Sequence, residues 1–214
     1  MPGEPSTRDR IIDEAMRLFG ERGYAATTVA EIEAAAGLSS GAGGLYRHFR
    51  SKRALLDAGV RRQIESHQEL LARLRVAASP EASVLEQLRQ LAHAGLERLD
   101  RERDLNRLIV RDLRAFPDLL DLTAEGEMRP VHQALAAWLA GHDAASALDL
   151  EAVAAVLAGA TAHFWVLRDV FGEHPTGVSA DRYVAALAEL VAAALGGTHA
   201  AGRGERPRSG RGAG

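Results

Sequence analysis

The first quarter of the chain places apolar residues at helical spacing in two stretches. Between residues 7 and 22 they recur at i, i+1, i+4, i+7 and i+8, which predicts a helix over that range, closed by Gly23. A second apolar face begins after Thr28, and Glu31 stands three residues later, at the spacing of a capping box. Gly37 ends this second helix, because glycine enters the left-handed backbone region without a steric penalty. The apolar positions of the two helices are Ile11, Ile12, Ala15, Leu18, Phe19, Val29, Ile32 and Ala36.

A third short helix is predicted after a tight turn, with Ser39 or Ser40 as its cap. Leu45 and Phe49, at i and i+4, can point inward while Tyr46 faces outward. Two helices joined in this way form a helix–turn–helix, whose second helix enters the DNA major groove in proteins that use the motif. The same arrangement also occurs in many helical proteins of other function. Here a cluster of basic residues among aromatic ones favours contact with phosphates and base edges: Arg47, His48, Arg50, Lys52 and Arg53.

The rest of the chain predicts six more helices and no strand. Ser51 caps a long fourth helix, and Ser79-Pro80-Glu81 starts a fifth. Pro130 marks a kink or a break inside the seventh. The last four are expected near residues 103–115, 119–139, 149–171 and 180–195, with Pro117 interrupting before the seventh, Ser146 and Asp149 forming a capping box before the eighth, and Ser179 capping the ninth. We therefore predict an all-α fold with a helix–turn–helix domain over 1–53, a larger helical domain over 54–196 and a disordered Gly/Arg-rich tail over 197–214.

Composition narrows the function classes. The net charge of −3 divides into +2 over residues 1–75, −8 over 76–196 and +3 over 197–214, so we expect only the head to meet a polyanion. The chain has no cysteine, which fits a cytoplasmic protein and excludes disulfide and thiolate chemistry. It has no histidine pair at i, i+4 and no catalytic motif, so we expect neither metal, cofactor nor enzymatic activity. No apolar run approaches ~18 residues, so we expect no membrane span.

The two C-terminal helices are rich in small residues at helical spacing. Such residues let helices approach closely, which suits a four-helix interface between two copies of the chain. The alternative is that both helices simply close the core of one copy, and spacing alone does not decide between the two. The residues concerned are Ala154, Ala158, Gly159, Ala162, Ala188 and Ala192.

Aromatic and charged residues of the larger domain suggest a pocket between helices. The alternative for each of them is an ordinary core position, with Arg168–Asp112 or Arg111–Asp169 salt bridges. The candidate ligand-binding residues are Arg111, Phe116, Met128, His132, Trp138, Phe164, Trp165 and Arg168.

The stretches IIDEAMRLF, GYAATTVAEIEAAAGLS and LYRHFRSKRALL, within residues 10–56, resemble the TetR family of ligand-responsive transcription regulators. The resemblance implies a homodimeric repressor that binds a palindromic double-stranded DNA operator and is released by a small-molecule effector. The segment Ala42-Gly43-Gly44 departs from the family pattern by lengthening the turn. By position, the DNA contacts that the resemblance implies fall on Thr27, Thr28, Ser39, Ser40, Gly41, Tyr46, His48 and Lys52.

Two other functions remain open at this point. One is a dimeric DNA-binding protein without an effector, whose larger domain only dimerises. The other is a helical-bundle enzyme or carrier that happens to contain a helix–turn–helix. A filled core in the larger domain favours the first, and a convergent set of perturbed acids favours the second.

Overall fold

The computed structural model describes residues 6–38, 44–77, 82–142 and 148–196 and, within the long helix that ends at Ala77, side chains up to residue 65. Over these ranges the chain is helical and contains no strand, in agreement with the predicted fold class. The α-helices are α1 Thr7–Arg22, α2 Val29–Ala35, α3 Lys52–Ala77, α4 Val84–Arg101, α5 Arg103–Arg111, α6 Pro117–Thr123, α7 Arg129–Ala140, α8 Leu150–Phe171 and α9 Ala180–Gly196. Two 3₁₀ turns, Leu45–Arg47 and Leu113–Ala115, and a π-helical turn, Ala124–Met128, complete the description.

Unit 1 is one of two compact units and joins residues 1–79 to residues 95–132. Helix α1 is its centre, since it packs against α2, α3 and α5. Gly20 makes the approach of α5 possible, because a Cβ atom at this position would lie 2.6 Å from the Asp104 Cα atom. The apolar stripe predicted for α1 is buried together with side chains of α3 and α5, among them Leu55, Leu56, Leu105 and Leu108.

Unit 2 comprises residues 80–94 and 133–214. Its buried side chains come from four helices and include Leu88, Leu139, Leu157 and Val191. A stack of three rings lies at one place in this unit, with Phe164 between Tyr183, at 4.1 Å, and His174, at 4.8 Å. The predicted division into domains 1–53 and 54–196 stays a prediction.

Two prolines shape the middle of the chain: the break predicted near Pro130 is confirmed, whereas Pro117 acts differently from the prediction. Pro117 starts α6 instead of interrupting a helix, because its fixed φ suits the first helical position. The single segment predicted over 119–139 consists of α6 and α7, separated by the π-helical turn. Pro130 has no N–H to offer the carbonyl four residues earlier, and the neighbouring Arg129 N–H bonds to the Ala124 carbonyl five residues earlier.

Two predicted helix caps are confirmed, since the Ser51 hydroxyl accepts the Ala54 N–H at 3.0 Å and the Ser179 hydroxyl accepts the Arg182 N–H at 3.4 Å. The capping box predicted for α8 placed Asp149 three residues after the cap, but Asp149 is itself the cap, and its carboxylate accepts the Ala152 N–H at 3.1 Å. Helix α4 begins at Val84, directly after Ser83, whose hydroxyl accepts the Glu86 N–H at 3.2 Å. The predicted starts at Ser79-Pro80-Glu81 and at Ser146 involve residues outside the described ranges.

Helix α8 agrees with its predicted bounds but is more apolar than the sequence analysis assumed. It has 22 residues, and its most apolar 18-residue window has a mean hydropathy of 1.6, so by length and composition it is able to cross a membrane. The expectation that no stretch approaches this length is therefore wrong, although core helices of soluble proteins meet the same criterion. Only 28% of that window is buried within the chain, so much of α8 presents apolar surface.

Candidate nucleic-acid interface

Hydrogen bonds donated by Gly23 and Thr27 hold the connection between α1 and α2. Gly23 ends α1 with φ of 96°, a left-handed backbone value that favours glycine, and its N–H bonds to the Phe19 carbonyl at 2.9 Å. The hydroxyl of Thr27 donates to the carbonyls of Gly23, at 2.9 Å, and Leu18, at 3.2 Å. Thr27 is only 1% exposed, so its side chain holds this connection. The implied phosphate contact of the Thr27 side chain is therefore wrong in this conformation.

Helix α2 begins with the predicted capping box. The Thr28 hydroxyl accepts the Glu31 N–H at 3.2 Å, and the Glu31 carboxylate accepts the Thr28 N–H at 2.7 Å. The Thr28 hydroxyl also donates to the Glu31 carboxylate, at 2.8 Å. The bonds that the Thr28 N–H and hydroxyl donate, aided by Arg22 at 2.9 Å, lower the pKa of the Glu31 carboxyl. Thr28 itself is exposed, so the start of α2 faces solvent.

A buried carboxylate links α2 to the recognition segment. Glu33 is 6% exposed, and its Oε1 atom accepts the backbone N–H of the fully buried Leu45 at 2.9 Å. Phe49, four residues after Leu45, is also buried, as predicted, whereas Tyr46 is 58% exposed. Glu33 thus fixes the 3₁₀ turn that presents Tyr46 to solvent. Sequence reasoning missed this role, although a glutamate inside an apolar helical face was a signal for it.

A cationic surface surrounds Tyr46. Arg47, His48 and Arg50 are exposed, and the Arg8 guanidinium of α1 lies 5.0 Å from the centre of the Phe49 ring, next to these residues. Among the residues that the structure describes, no carboxylate lies within salt-bridge distance of the three arginines. Several other arginines of unit 1 pair with carboxylates: Arg17 with Glu14 and Glu21, Arg22 with Glu31, Arg53 with Asp118, Arg61 with Asp57, and Arg62 with Asp9 and Asp13.

We call Arg8, Tyr46, Arg47, His48 and Arg50 the cationic surface. The structure therefore leaves the implied DNA contacts Tyr46 and His48 exposed and adds Arg8. Sequence reasoning missed Arg8 because its proximity to Phe49 arises from tertiary packing. The implied contacts Ser39, Ser40 and Gly41 lie outside the described residues.

Lys52 points into the unit. Its ammonium group donates a hydrogen bond to the Thr27 carbonyl at 2.5 Å and lies 4.2 Å from the centre of the Tyr24 ring. Partial burial lowers the pKa of Lys52, against a smaller opposing effect of Glu31. The Lys52 side chain is only half-buried, and this bond uses one of its three N–H donors, so the implied phosphate contact of Lys52 stays a prediction.

Four of the candidate ligand-binding residues belong to unit 1. Arg111 is exposed, and its Nη2 atom donates to the Phe19 carbonyl at 2.6 Å and to the Gly20 carbonyl at 3.1 Å. Phe116 packs edge-on against Tyr24 at 4.8 Å. The half-buried His132 and Met128 lie together through a contact of 2.7 Å between the His132 Nδ1 atom and the Met128 carbonyl.

The other four belong to unit 2. Trp138 donates its indole N–H to the Gln87 side chain at 3.2 Å. Phe164 and Trp165 are core side chains, 1% and 3% exposed. The Arg168 guanidinium lies 5.9 Å from the centre of the Phe164 ring.

A cleft of about 310 Å³ lies between α1, α3 and the α4–α5 junction of unit 1. Its walls are largely charged, with Arg62, Asp104 and Arg101 among them, and most of these side chains pair with one another or with neighbouring residues. None of the eight candidate ligand-binding residues lines it. This cleft is therefore different in place and in chemistry from the predicted pocket.

The candidate dimer-interface residues separate into two groups. Ala154 and Ala188 are buried inside unit 2, at 0% and 1% exposure, so they do not face a second copy and the prediction is corrected for them. Gly159 is exposed, and a Cβ atom added to it would meet nothing within 4 Å. Ala158, Ala162 and Ala192 are half-buried.

Comparison with known proteins relates the helix–turn–helix region to a protein family. Residues 11–58 match the family model described as bacterial regulatory proteins, tetR family. The HTH-type transcriptional repressor KstR2 of Mycobacterium tuberculosis is 37% identical over 95 residues, which cover 44% of this chain and 45% of KstR2. The chain thus spans less than half the length of the first curated relatives it matches.

Solved structures extend the likeness to most of the chain. A bacterial regulatory protein of the tetR family from Rhodococcus RHA1 is 25% identical and matches with a TM-score of 0.61 over 90% of this chain and 96% of that one. FadR of Bacillus subtilis, solved in complex with stearoyl-CoA, shares the fold with a TM-score of 0.62 at 17% identity, over 85% of this chain and 96% of FadR. The chain therefore resembles bacterial regulatory proteins of the tetR family in its helix–turn–helix region, residues 11–58, and shares their fold over most of its length.

Proposed function

We propose that this protein is a transcription regulator that binds double-stranded DNA through the cationic surface of unit 1. The observation that carries the proposal is the exposure of Tyr46 and His48 among arginines that have no carboxylate partner within the described residues. Phosphate contacts supply most of the affinity for DNA, and base-edge contacts supply specificity. A surface with free cations around an aromatic side chain offers both. Because DNA is its target, we infer a cytoplasmic location in a bacterium.

The residues of the interface are proposed to have separate roles. Arg8, Arg47 and Arg50 contact phosphates, while Tyr46 and His48 reach base edges as well. Thr28, exposed at the start of α2, is proposed as a further phosphate contact. Ser39, Ser40 and Gly41 keep the role near base edges that the family resemblance implies.

The roles are tested by selecting a DNA duplex from a random-sequence library with the wild-type protein. Arg50→Ala should weaken binding to the selected duplex and to a scrambled duplex alike, and should reduce the slope of log affinity against log salt by about one unit. Tyr46→Ala should weaken binding to the selected duplex by about tenfold or more and spare the scrambled one. Arg61→Ala is the matched control, because Arg61 is exposed in the same unit but pairs with Asp57 at 2.9 Å. Wild-type affinity of Tyr46→Ala and Arg50→Ala on both duplexes would reject the proposed surface.

We further propose that the active form is a homodimer joined through α8 and α9. Val156, Val170 and Leu190 are 66%, 67% and 72% exposed, which is unusual for large apolar side chains on two neighbouring helices. Gly159 lies on the same exposed part of α8 and leaves room for close approach. Two copies are also what a palindromic operator requires, because its half-sites lie about 34–36 Å apart.

The dimer is tested by Gly159→Trp. The single chain has room for the indole, so the fold should be retained, while the partner helix should be excluded. Glu173→Trp, in the exposed loop after α8, is the control. Light scattering should give a monomer for Gly159→Trp and a dimer for the control; a stable Gly159→Trp dimer would contradict the proposed face.

We propose that a mostly apolar small molecule opposes DNA binding, so that the protein is a repressor released by its effector. The support is the repressor named KstR2 among the relatives and the acyl-CoA bound to the FadR fold neighbour. Phe116, Met128, His132 and Trp138 remain the candidates for ligand contact, since they are half-buried. A role in regulation, as for these relatives, is proposed in preference to a catalytic one.

The effector is tested with stearoyl-CoA as the first probe. A ligand present at 100 times its dissociation constant should stabilise the protein by about 2.7 kcal/mol, which a thermal-shift assay detects easily. The same ligand should release the selected duplex. If no member of a panel of acyl-CoAs and hydrophobic metabolites stabilises the protein and releases the duplex, the regulator without an effector becomes the better interpretation.

A further inference from the structure

The α1–α2 connection is held from outside by two other helices of unit 1. From the end of α5, the Arg111 guanidinium donates to the carbonyls of Phe19 and Gly20, which belong to the last turn of α1. The same guanidinium occupies the space beside Gly23, since a Cβ atom on Gly23 would lie 3.4 Å from the Arg111 Nε atom. A cation at this place also stabilises α1, because the C-terminal end of a helix carries a partial negative charge.

Asp112 and Lys52 hold the remainder of the connection. The Asp112 carboxylate accepts the Arg111 Nε–H at 3.0 Å and the Tyr24 N–H at 3.4 Å. From the start of α3, the Lys52 ammonium donates to the Thr27 carbonyl, directly before the capping box of α2. Tyr24 lies between the two attachments, in contact with Phe116 on one side and the Lys52 ammonium on the other.

These contacts form a continuous series from α5 to the DNA-facing residues. Arg111 and Asp112 fix residues 19–24, and the capping box fixes the start of α2. The buried Glu33 of α2 then fixes the turn that carries Tyr46. The orientation of Tyr46 therefore depends on where the end of α5 lies.

We propose that Arg111 and Asp112 are positioning residues for DNA recognition, acting from α5 through the α1–α2 connection. The inference rests on the proposed DNA-binding function, and it adds a point of control outside the helix–turn–helix. Any event that withdraws the end of α5 from α1 lowers the affinity for specific DNA. It does so without altering the residues that touch DNA.

The first test separates positioning from charge. Arg111→Met keeps most of the aliphatic stem and removes the donors, Arg111→Lys restores a donor, and Arg114→Met is the matched control on the exposed side of the following 3₁₀ turn. On the selected duplex, Arg111→Met should lose about tenfold or more in affinity, a loss that corresponds to 1.4 kcal/mol. Its affinity for the scrambled duplex and its salt slope should stay at wild-type values, and Arg111→Lys should recover part of the loss.

The second test is a double-mutant cycle with Tyr46. If Arg111 acts by placing Tyr46, Arg111→Met should have little further effect on binding by the Tyr46→Ala variant. A role in stability alone would instead lower the folded fraction and reduce binding to both duplexes in parallel. Equal losses for Arg111→Met in the two backgrounds, or equal affinities of Arg111→Met and Arg114→Met, would overturn the proposal.

A third measurement needs no DNA and therefore distinguishes failure of this inference from failure of the proposed function. In the full-length protein, Arg111→Met and Asp112→Ala should accelerate hydrogen exchange at the Tyr24 amide, with Arg114→Met unchanged. Unchanged exchange would show that the contacts are not formed in solution and would overturn the inference. Accelerated exchange in a protein that shows no salt-dependent DNA binding would retain the attachment but reject DNA binding and, with it, the positioning role.

Discussion

Glu33 gives the sharpest prediction for the recognition segment, because a single buried hydrogen bond joins it to the turn bearing Tyr46. Glu33→Ala removes a charged acceptor and leaves the Leu45 N–H without its partner, at a position where Leu45 is fully buried. A hydrogen bond to a charged group contributes about 1.5–3 kcal/mol. We therefore expect Glu33→Ala to lower the free energy of unfolding by about 2 kcal/mol.

The matched control is Glu33→Gln, whose side-chain oxygen still accepts the Leu45 N–H. It should retain a large part of the stability, because the acceptor remains and only the charge is lost. A change of about 2 kcal/mol corresponds to roughly 4–8 °C in Tm for a chain of this size. Urea unfolding followed by circular dichroism measures the free energy, and thermal unfolding checks it.

DNA affinity provides a second test of the Glu33→Ala substitution. The substitution cannot weaken binding to the selected duplex by more than the free energy that the lost hydrogen bond contributes to the turn. We therefore expect Glu33→Ala to lower the affinity by no more than about 10–100-fold. Binding to the scrambled duplex should change little. Equal stability of the Ala and Gln variants, or an Ala variant within about 0.5 kcal/mol of wild type, would refute the role assigned to this bond.

Three further predictions concern helix packing, a helix cap and a buried carboxyl group. Gly20→Ala should cost about 1–3 kcal/mol, measured by urea unfolding, because the added methyl would meet the backbone of α5 at Asp104. Thr28→Ala should cost about 1 kcal/mol by loss of the capping box, and Thr28→Ser should restore most of it. Burial raises the pKa of Asp104 in the folded protein, so its ionised form opposes folding at pH 7. Asp104→Asn should therefore raise Tm at pH 7. This gain should disappear as the pH falls below the pKa of the unfolded chain, near 3.8.

Local features of the chain could be read from the sequence. The bounds of α1, the glycine that ends it and the capping box at Thr28 and Glu31 agree with the prediction, because each depends on residues within one helical turn. The burial of Leu45 and Phe49 with exposure of Tyr46 also agrees, since helical spacing determines it. The family resemblance rested on these same stretches.

Contacts with residues far away in the sequence could not be predicted. Lys52 and Arg111 resembled free cations in the sequence, yet each donates to a main-chain carbonyl that lies 25 or about 90 residues away. Ala154 and Ala188 have the same small side chains as Gly159, and only the packing of unit 2 shows which of them turn inward. Spacing shows that residues share a face, but it does not show what that face meets.

The apolar surface of α8 and α9 links the stability of the protein to its concentration in the cell. If a second copy covers Val156, Val170 and Leu190, folding and pairing become one equilibrium, and each tenfold dilution weakens the folded dimer by about 1.4 kcal/mol. Chains synthesised at low number then spend longer with this surface uncovered, where it is open to proteolysis and to mispairing. The cell would therefore hold a threshold amount of the protein, below which newly made copies are removed before they pair.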